Sequence, residues 1–366
     1  MEDLFYQIAL RQTPRIGDIS AKHLYSYFGS AQKVFEASEL DLLACGHFRK
    51  DMLLPLQEKV SWQEAEKAMR FIEKEQIQAL LFNHSAYPQR LKNLEDAPFL
   101  LFYKGNLQAL NPVHALAIIG TRTPTAYGLQ TCETLLEDLL YYQPSIFSGL
   151  AYGIDICAHK KSLALGLPTI GILGHGLDII YPSLHTKIAE QMINSNGGLL
   201  TSFLNGNKPN REHFPVRNHI VAGISDAVIV IETAQKGGSM FTAQVANQYK
   251  KDVFAVPGRL DDNFSKGCNA LIQKNQATLL QNAHEIATIL GWENKGTALQ
   301  HQTQLFIQLS QEEEIIVNCL LGQPAIHLDT LIYKTGFSTS KIAALLLELE
   351  MKNYIKALPG KHFKLR

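Results

Sequence analysis

A glycine-rich turn in the middle of the chain has the residue types of an anion site. It runs Ser148-Gly149-Leu150-Ala151-Tyr152-Gly153-Ile154-Asp155, after the apolar pair Ile146-Phe147 and before a helical pattern that includes Ala158 and His159. Glycine lets the backbone approach a ligand closely, and the first amides of a helix have no partner within the helix. Such a turn binds phosphate. Because tight turns also need glycine for structural reasons, the motif alone is a weak signal.

Two further loops follow apolar runs and carry residues that hold anions. Gly120-Thr121-Arg122 offers a hydroxyl donor and a guanidinium that can bind phosphate bidentately. Glu232 to Ala243 is a second turn of small residues that opens a helix, and Lys236 within it is placed to meet an anion. The loop from Gly174 to Asp178 either only closes the pocket or takes part in binding, and the sequence favours neither interpretation. Several cations around two such turns suit a polyanion better than one nucleotide.

The segment Arg211-Glu212-His213-Phe214-Pro215-Val216-Arg217-Asn218-His219 interleaves cations with an aromatic ring. Stacking on Phe214 beside Arg211 and Arg217 would suit an unpaired base flanked by phosphates. The alternative is that Phe214 fills the core while the cations are solvated.

The elements that must position these residues are those of a doubly wound α/β sheet. Five runs are almost uniformly apolar, as expected of parallel strands that are covered on both faces. They are Leu116–Ile119, Ile146–Phe147, Thr169–Leu173, Ala227–Ile231 and Val253–Val256. Helical patterns lie between them at Leu129–Leu140, Asp155–Leu165, Lys187–Ile193 and Phe241–Tyr249. In such sheets ligands bind beyond the carboxyl ends of the strands, which is where the three loops fall.

The pattern predicts two further structured segments and a linker beside this Rossmann-like core, which spans residues 78–292. Residues 1–75 read as a helical domain in which Pro14-Arg15-Ile16-Gly17 resembles a helix-hairpin-helix (SAM-like) turn, although a plain helical bundle is favoured. Residues 293–308 are a polar linker. Residues 309–366 have the outline of a winged helix, which serves either DNA reading or protein docking.

Composition narrows the function classes. The chain has 366 residues and a formal net charge of zero, so any nucleic-acid site must be a local patch. The five cysteines are scattered and lack metal-ligand spacing, which predicts reduced thiols and no metal site. We also expect no cofactor. The amino terminus lacks a signal peptide and no apolar run reaches membrane-spanning length, so we expect a cytoplasmic protein without membrane contact.

The order of these motifs resembles the DNA-processing protein A (Smf) family over about Leu94 to Leu280. The series is completed by Gly176-Leu177-Asp178 with Tyr181-Pro182, by Phe214-Pro215-x-Arg217-Asn218, by Gly238-Ser239 with Thr242-Ala243, and by Val256-Pro257-Gly258. The resemblance implies a single-stranded DNA-binding protein of natural transformation. Such proteins help load the RecA-type recombinase and dimerise through a Rossmann-like core.

The resemblance also implies which residues contact DNA. They are Gly120, Thr121, Arg122, Ser148, Gly149, Gly153, Arg211, Phe214, Arg217, Asn218, Lys236, Gly238 and Ser239. Two positions depart from the family pattern. His219 stands where an arginine is common, which would weaken DNA affinity or make it pH-sensitive, and Ser202 stands where a glutamate is usual.

The rival hypothesis is an enzyme, since the core also resembles nucleoside-monophosphate phosphoribohydrolases. Glycosidic cleavage needs a carboxylate at the sugar, and those enzymes place a glutamate in the helix after the glycine turn. Here that helix carries Thr242, Ala243 and Gln244 instead. Asp155 and Glu232 remain as carboxylates near the pocket, with Asp155 expected to cap its helix. The sequence therefore favours a binding protein over an enzyme.

Overall fold

The computed structural model describes residues 2–46, 48–292, 310–321, 323, 325–352 and 354–365. The chain divides into two compact units, residues 1–293 and 294–366. The linker that the sequence predicts at 293–308 lies outside the described residues.

The amino-terminal helices form a bundle around buried aliphatic side chains such as Ile8, Leu24 and Leu53. They are α1 Glu2–Gln12, α2 Asp18–Phe28, α3 Ala31–Glu36, α4 Glu39–Ala44, α5 Lys50–Gln57 and α6 Trp62–Lys74. The Pro14–Gly17 turn joins α1 to α2, and its cation is not free, because the Arg15 guanidinium donates to the Asp51 carboxylate at 2.7 Å. This favours the helical-bundle interpretation of the turn.

Within the described residues, nine strands form one sheet in the order β1-β2-β6-β5-β4-β3-β7-β8-β9. They are β1 Gln78–Leu81, β2 Leu100–Gly105, β3 Ala115–Ile119, β4 Ser145–Ser148, β5 Thr169–Ile172, β6 Gly198–Thr201, β7 Ala227–Val230, β8 Asp252–Ala255 and β9 Thr278–Leu279. In the part of the sheet that runs β6-β5-β4-β3-β7-β8-β9, every neighbouring pair of strands is parallel. Strands β2 and β1 extend the β6 edge with antiparallel pairs. The strand order reverses between β3 and β7, which makes that point the topological switch of the sheet.

Helices cover both faces of the parallel strands, because alternate side chains of a strand point to opposite faces. The helices of this region are α7 Gln89–Lys92, α8 Ala126–Leu139, α9 Ile154–Ala164, α10 Thr186–Asn194, α11 His213–Ile224, α12 Gly238–Gln248, α13 Lys266–Gln273 and α14 Ala283–Leu290. Leu116 and Ile118 of β3 pack with α8, α9 and α14, whereas Ala117 and Ile119 pack in the cluster that holds α11 and α12.

The structure confirms the predicted α/β fold with a doubly wound Rossmann-like sheet. All five predicted strands and all four predicted helices are present with small shifts at their ends. Within residues 78–292, the sequence analysis did not assign β1, β2, β6, β9, α7, α11, α13 or α14. The cation-rich segment at 211–219 is therefore not a loop: its larger part is the first half of helix α11.

Residues 310–365, where described, have the arrangement of a winged helix. The elements are α15 Gln311–Leu320, β10 Ile326–His327, α16 Leu328–Thr335, α17 Thr339–Met351, β11 Ile355–Leu358 and β12 His362–Leu365. The strands pair in the order β10-β12-β11, and Gly360 at a positive φ turns the chain between β11 and β12. Throughout the described part of the chain, no helix is both long enough and apolar enough to cross a membrane.

Candidate functional site

An open cleft of about 300 Å³ lies at the switch point of the sheet. Its walls come from the loops after β3, β4 and β7, from helices α11 and α12, and from the loop after β8. The lining residues are Ile119, Gly120, Thr121, Arg122, Ala151, Asp155, Phe214, Arg217, Asn218, Val221, Thr233, Ala234, Gly237, Gly238, Ser239, Thr242 and Phe264. The structure thus brings eight of the thirteen predicted residues to one cleft: Gly120, Thr121, Arg122, Phe214, Arg217, Asn218, Gly238 and Ser239.

Phe214 stands between two guanidinium groups at the start of α11. Its ring centroid lies 5.1 Å from the Arg122 guanidinium carbon and 5.7 Å from that of Arg217, which is cation–π distance. The ring is half-buried and lines the cleft, so the alternative that it fills the core is wrong. Arg122 is exposed, whereas Arg217 is buried. The two cations therefore have different surroundings, although they share one ring.

Arg217, a buried residue of the cleft wall, is held in place by Asp155 of helix α9. Its Nη1 lies 3.7 Å from Asp155 Oδ2, and each side chain is 8% exposed. Burial raises the pKa of Asp155 and lowers the pKa of Arg217, and the opposite charge of the partner counteracts both shifts. Because both side chains are largely buried, each charge depends on the other for compensation.

The same carboxylate organises the glycine-rich turn. Asp155 Oδ2 accepts hydrogen bonds from the amides of Gly149 at 3.1 Å and Ala151 at 3.4 Å. A Cβ on Gly149 would lie 1.0 Å from Nη1 of Arg217, so only glycine allows this approach. The prediction that Asp155 caps α9 is wrong, because Gly153 is the N-cap and no side chain caps the helix. Asp155 instead fixes the loop that precedes the helix.

Ser148 and Gly153 shape this turn from within and do not line the cleft. Ser148 is completely buried, and its hydroxyl donates to the carbonyl of Ile118 at 2.6 Å. Gly153 has φ +80°, and a Cβ there would lie 2.1 Å from the carbonyl oxygen of Thr121. The direct phosphate contacts expected of Ser148 and Gly149 do not fit this geometry, because the Ser148 hydroxyl and the Gly149 amide already have partners inside the protein.

The second predicted anion site is the start of helix α12. Gly237 is the N-cap, and no side chain caps the helix. A Cβ on Gly238 would have no neighbour within 4 Å, so the backbone is open to the cleft here. Ser239 is buried and donates from Oγ to Thr233 Oγ1 at 3.2 Å. Lys236 and Arg211 are exposed but do not line the cleft.

The carboxylate of Glu232 is also engaged within the protein. Both of its oxygens accept from Thr125, from the hydroxyl at 2.5 Å and from the amide at 2.9 Å, at the start of α8. A Cβ on Gly128 would meet Glu232 Oε2 at 2.3 Å. Glu232 and Asp155, the carboxylates named for the rival enzyme hypothesis, thus both hold neighbouring structure in place.

The loop after β5 packs against helix α11. His175 is buried, and the ring nitrogen Nδ1 of His213 donates to the carbonyl of Gly174 at 3.1 Å. The His213 ring stacks on Phe203 with centroids 4.2 Å apart. These contacts favour the structural interpretation of the segment Gly174 to Asp178.

The two positions that depart from the family pattern are now placed. His219 is on α11, and its Nδ1 lies 2.9 Å from Asp96 Oδ2 and 2.7 Å from the Tyr249 hydroxyl. Burial, together with the carboxylate of Asp96, raises the pKa of Tyr249. Ser202 is buried, and its hydroxyl has no hydrogen-bond partner among the described residues.

Thr233, Thr242 and Phe264 line the cleft but were not predicted as site residues. The spacing of Thr242 after the second glycine turn was a usable signal, since it is the fifth residue of α12, one turn beyond Gly238. Phe264 is in the loop that follows β8, and nothing in its local sequence marks it as part of this cleft.

Comparison with known proteins decides the family. Residues 78–291 match the sequence profile of DNA recombination-mediator protein A, and residues 302–361 match that of the DprA winged helix domain. The chain belongs to the DprA/Smf family. The "Protein Smf" of Synechocystis is 32% identical over 291 residues, which cover 78% of this chain and 72% of that protein.

Other DprA proteins are similar in sequence and in structure. The DNA processing protein DprA of Streptococcus pneumoniae is 39% identical over 188 residues, which cover 51% of this chain and 66% of that protein. A solved structure of S. pneumoniae DprA covers 77% of this chain and 95% of its own, with a TM-score of 0.63 and 30% identity. The Helicobacter pylori structure, described for its single-stranded DNA binding mode, gives a TM-score of 0.53 at 34% identity, covering 59% of this chain and 95% of its own.

Proposed function

We propose that this DprA-family chain binds single-stranded DNA, without preference for base sequence, through the switch-point cleft. The observation that carries the proposal is the Phe214 ring in the open cleft, flanked by the guanidiniums of Arg122 and Arg217. An aromatic face beside cations matches an unpaired base beside its phosphates. The single-strand binding described for the H. pylori relative supports the same function.

In this proposal, some cleft residues bind the phosphates of the strand and Phe214 stacks on a base. Arg122 is exposed at the end of β3, so its guanidinium can reach a phosphate without breaking a buried contact. Phe214 would stack on a base, an interaction of about 1–3 kcal/mol. The amides at the start of α12, where no side chain caps the helix, would hold a second phosphate.

Titration of a labelled oligonucleotide at several salt concentrations separates these contributions. Arg122→Ala should weaken binding and lower the slope of log affinity against log salt by about 0.7, the value for one phosphate on a single strand. Lys236→Ala should also lose affinity. Phe214→Ala should weaken binding by about 1–3 kcal/mol with little change of the slope, since stacking releases no counterions.

Lys250→Ala is the matched control. Lys250 is exposed and precedes β8, so it lies at the edge of the sheet opposite the cleft. Its replacement should leave affinity unchanged, and duplex DNA should compete poorly for the wild-type protein. Unchanged affinity in both Arg122→Ala and Lys236→Ala would mean that DNA binds elsewhere.

The enzyme alternative would need a carboxylate, and the two candidates, Asp155 and Glu232, are both bound to neighbouring protein atoms. It can also be tested directly. Purified protein incubated with nucleoside monophosphates should release no free base on chromatography. Release of base that is lost in Asp155→Asn would favour the phosphoribohydrolase hypothesis instead.

We also propose that the chain acts in the cytoplasm on DNA taken up in natural transformation, dimerises through its Rossmann-like core, and helps load the RecA-type recombinase. If the core dimerises, light scattering should give twice the monomer mass for any variant of the protein that keeps residues 78–292. Loading should appear as faster recombinase filament formation on DNA that is already coated with this protein.

For the winged helix we propose protein docking rather than DNA reading. In helix α17, Lys341 donates to Glu312 at 2.5 Å, while Leu347 and Met351 are 60% and 78% exposed. An apolar exposed surface suits a protein partner. Removing Glu312 to Arg366 should leave single-strand affinity nearly intact, whereas a large loss would place DNA contacts in this module.

A further inference from the structure

Two cysteines meet between the helices that lie side by side on one face of the sheet. Cys132 is on α8 and completely buried, and Cys157 is in the first turn of α9 and 8% exposed. Both belong to the apolar cluster that α8, α9 and β3 share. DNA binding by the cleft uses neither thiol.

The contacts of Cys157 place its sulfur on the turn of α8 that contains Cys132. Cys157 Sγ lies 3.9 Å from the carbonyl oxygen of Leu129 and 4.0 Å from Oε1 of Glu133. These residues precede and follow Cys132 on the helix. Cys132 lies on that same turn of α8 and in the same buried cluster, so its side chain is a neighbour of the Cys157 side chain between the two helices.

The surroundings of Cys157 favour its thiolate. The neighbouring Cys132 thiol, together with Lys160 and Lys161, lowers the pKa of Cys157, although burial and the carboxylate of Glu133 oppose this. Its place in the first turn of a helix acts in the same direction. By contrast, burial raises the pKa of Cys268 to about 12, and the Cys268 thiol faces the carbonyls of Val230 and Ile231.

We propose that Cys132 and Cys157 are an oxidation site at which a hydroperoxide forms an intramolecular disulfide between α8 and α9. The Cys157 thiolate attacks one peroxide oxygen, the O–O bond breaks, and Cys157 becomes a sulfenic acid while hydroxide leaves and takes up a proton. The Cys132 sulfur then attacks the Cys157 sulfur. The S–O bond breaks, and the hydroxyl leaves with the Cys132 proton as water. Both thiols are oxidised, and hydrogen peroxide is reduced to water.

The cross-link has a measurable consequence for the folded chain. It joins residues that are 25 positions apart, so it restricts the unfolded chain more than the folded one. The melting temperature of the larger unit should therefore rise by roughly 5 °C on oxidation. This inference does not depend on DNA binding, because it concerns the free protein.

The test treats the full native chain with hydrogen peroxide, blocks the remaining thiols by alkylation, and maps peptides by mass spectrometry without reduction. We expect a linked peptide pair containing Cys132 and Cys157, lighter than the separate peptides by two hydrogen atoms. Cys157→Ser should abolish both the pair and the rise in melting temperature. Cys268→Ser, the matched buried control, should retain both.

Either of two results would overturn the proposal. One is recovery of Cys132 and Cys157 as alkylated thiols after oxidation of the folded wild-type chain. The other is oxidation of Cys157 to the sulfinic acid while Cys132 stays alkylated, because Cys132 would then be unable to reach it. Circular dichroism of Cys157→Ser confirms that a missing cross-link does not reflect misfolding.

Discussion

The buried pair of Arg217 and Asp155 offers the sharpest test of how the cleft is held together. Asp155→Asn removes the negative charge but keeps an oxygen that can accept from the Gly149 amide. With the charged atoms 3.7 Å apart, their attraction is about 4 kcal/mol at an effective dielectric constant of 20. Because both groups are 8% exposed, solvent cannot replace the lost partner, and the variant should be destabilised by about 3–5 kcal/mol.

A double variant separates the pair from its parts. Arg217→Met removes the cation and leaves a long, flexible apolar side chain in its place. Asp155→Asn combined with Arg217→Met should therefore be more stable than Asp155→Asn alone, since no uncompensated charge stays buried.

Urea unfolding followed by tryptophan fluorescence measures these changes in the larger unit, because Trp62 and Trp292 both lie within residues 1–293. The reasoning would be refuted if Asp155→Asn stayed within about 1 kcal/mol of the wild type, or if the double variant lost the sum of both single changes.

Two further predictions concern backbone and pH. Gly153→Ala should lower the free energy of unfolding by about 3 kcal/mol, because the strain of a positive φ is added to the clash with the Thr121 carbonyl oxygen. Gly166 also has a positive φ, of +73°, but its surroundings are open, so Gly166→Ala should cost only about 1 kcal/mol. Urea unfolding of both variants measures the difference. Burial lowers the pKa of His159 from 6.5 to about 3. As the pH falls, His159 is therefore protonated in the unfolded chain before it is protonated in the folded chain. Stability should be fully present above pH 6.5 and fall by about 4 kcal/mol as the pH approaches 3, and His159→Gln should flatten that part of the pH profile.

The parallel strands were predictable because their burial is two-sided. Leu116 to Ile119 are all buried, and a run covered on both faces needs no polar residue. β6 lacked this signal, since Gly198–Thr201 is short and begins with glycine. Helix α11 was missed because the cations and Pro215 in its first half conceal the apolar spacing of Ile220, Val221 and Ile224.

The location of the site was predictable, but its internal contacts were not. Ligands bind at the carboxyl edge of such a sheet, so Arg122 after β3 and Gly238 after β7 could be placed together from sequence. The pairing of Asp155 with Arg217 depends on how α11 packs over the turn before α9, and no local pattern encodes that. The same holds for Glu232, whose partner Thr125 is 107 positions away.

The glycine-rich turn at 148–155, the most conspicuous motif of the sequence, thus makes most of its contacts within the protein. In the glycine-rich turn, the Ser148 hydroxyl, the Gly149 amide and the Asp155 carboxylate are all bound to neighbouring protein atoms. Their effect is to fix Arg217, whose charge Asp155 partly neutralises, beneath the ring of Phe214. The cleft is therefore left with Arg122 as its exposed cation, which is consistent with a chain of zero net charge. For the single-strand binding proposed at this cleft, we therefore expect much of the affinity to come from stacking and from backbone amides, which can bind any single strand whatever its bases.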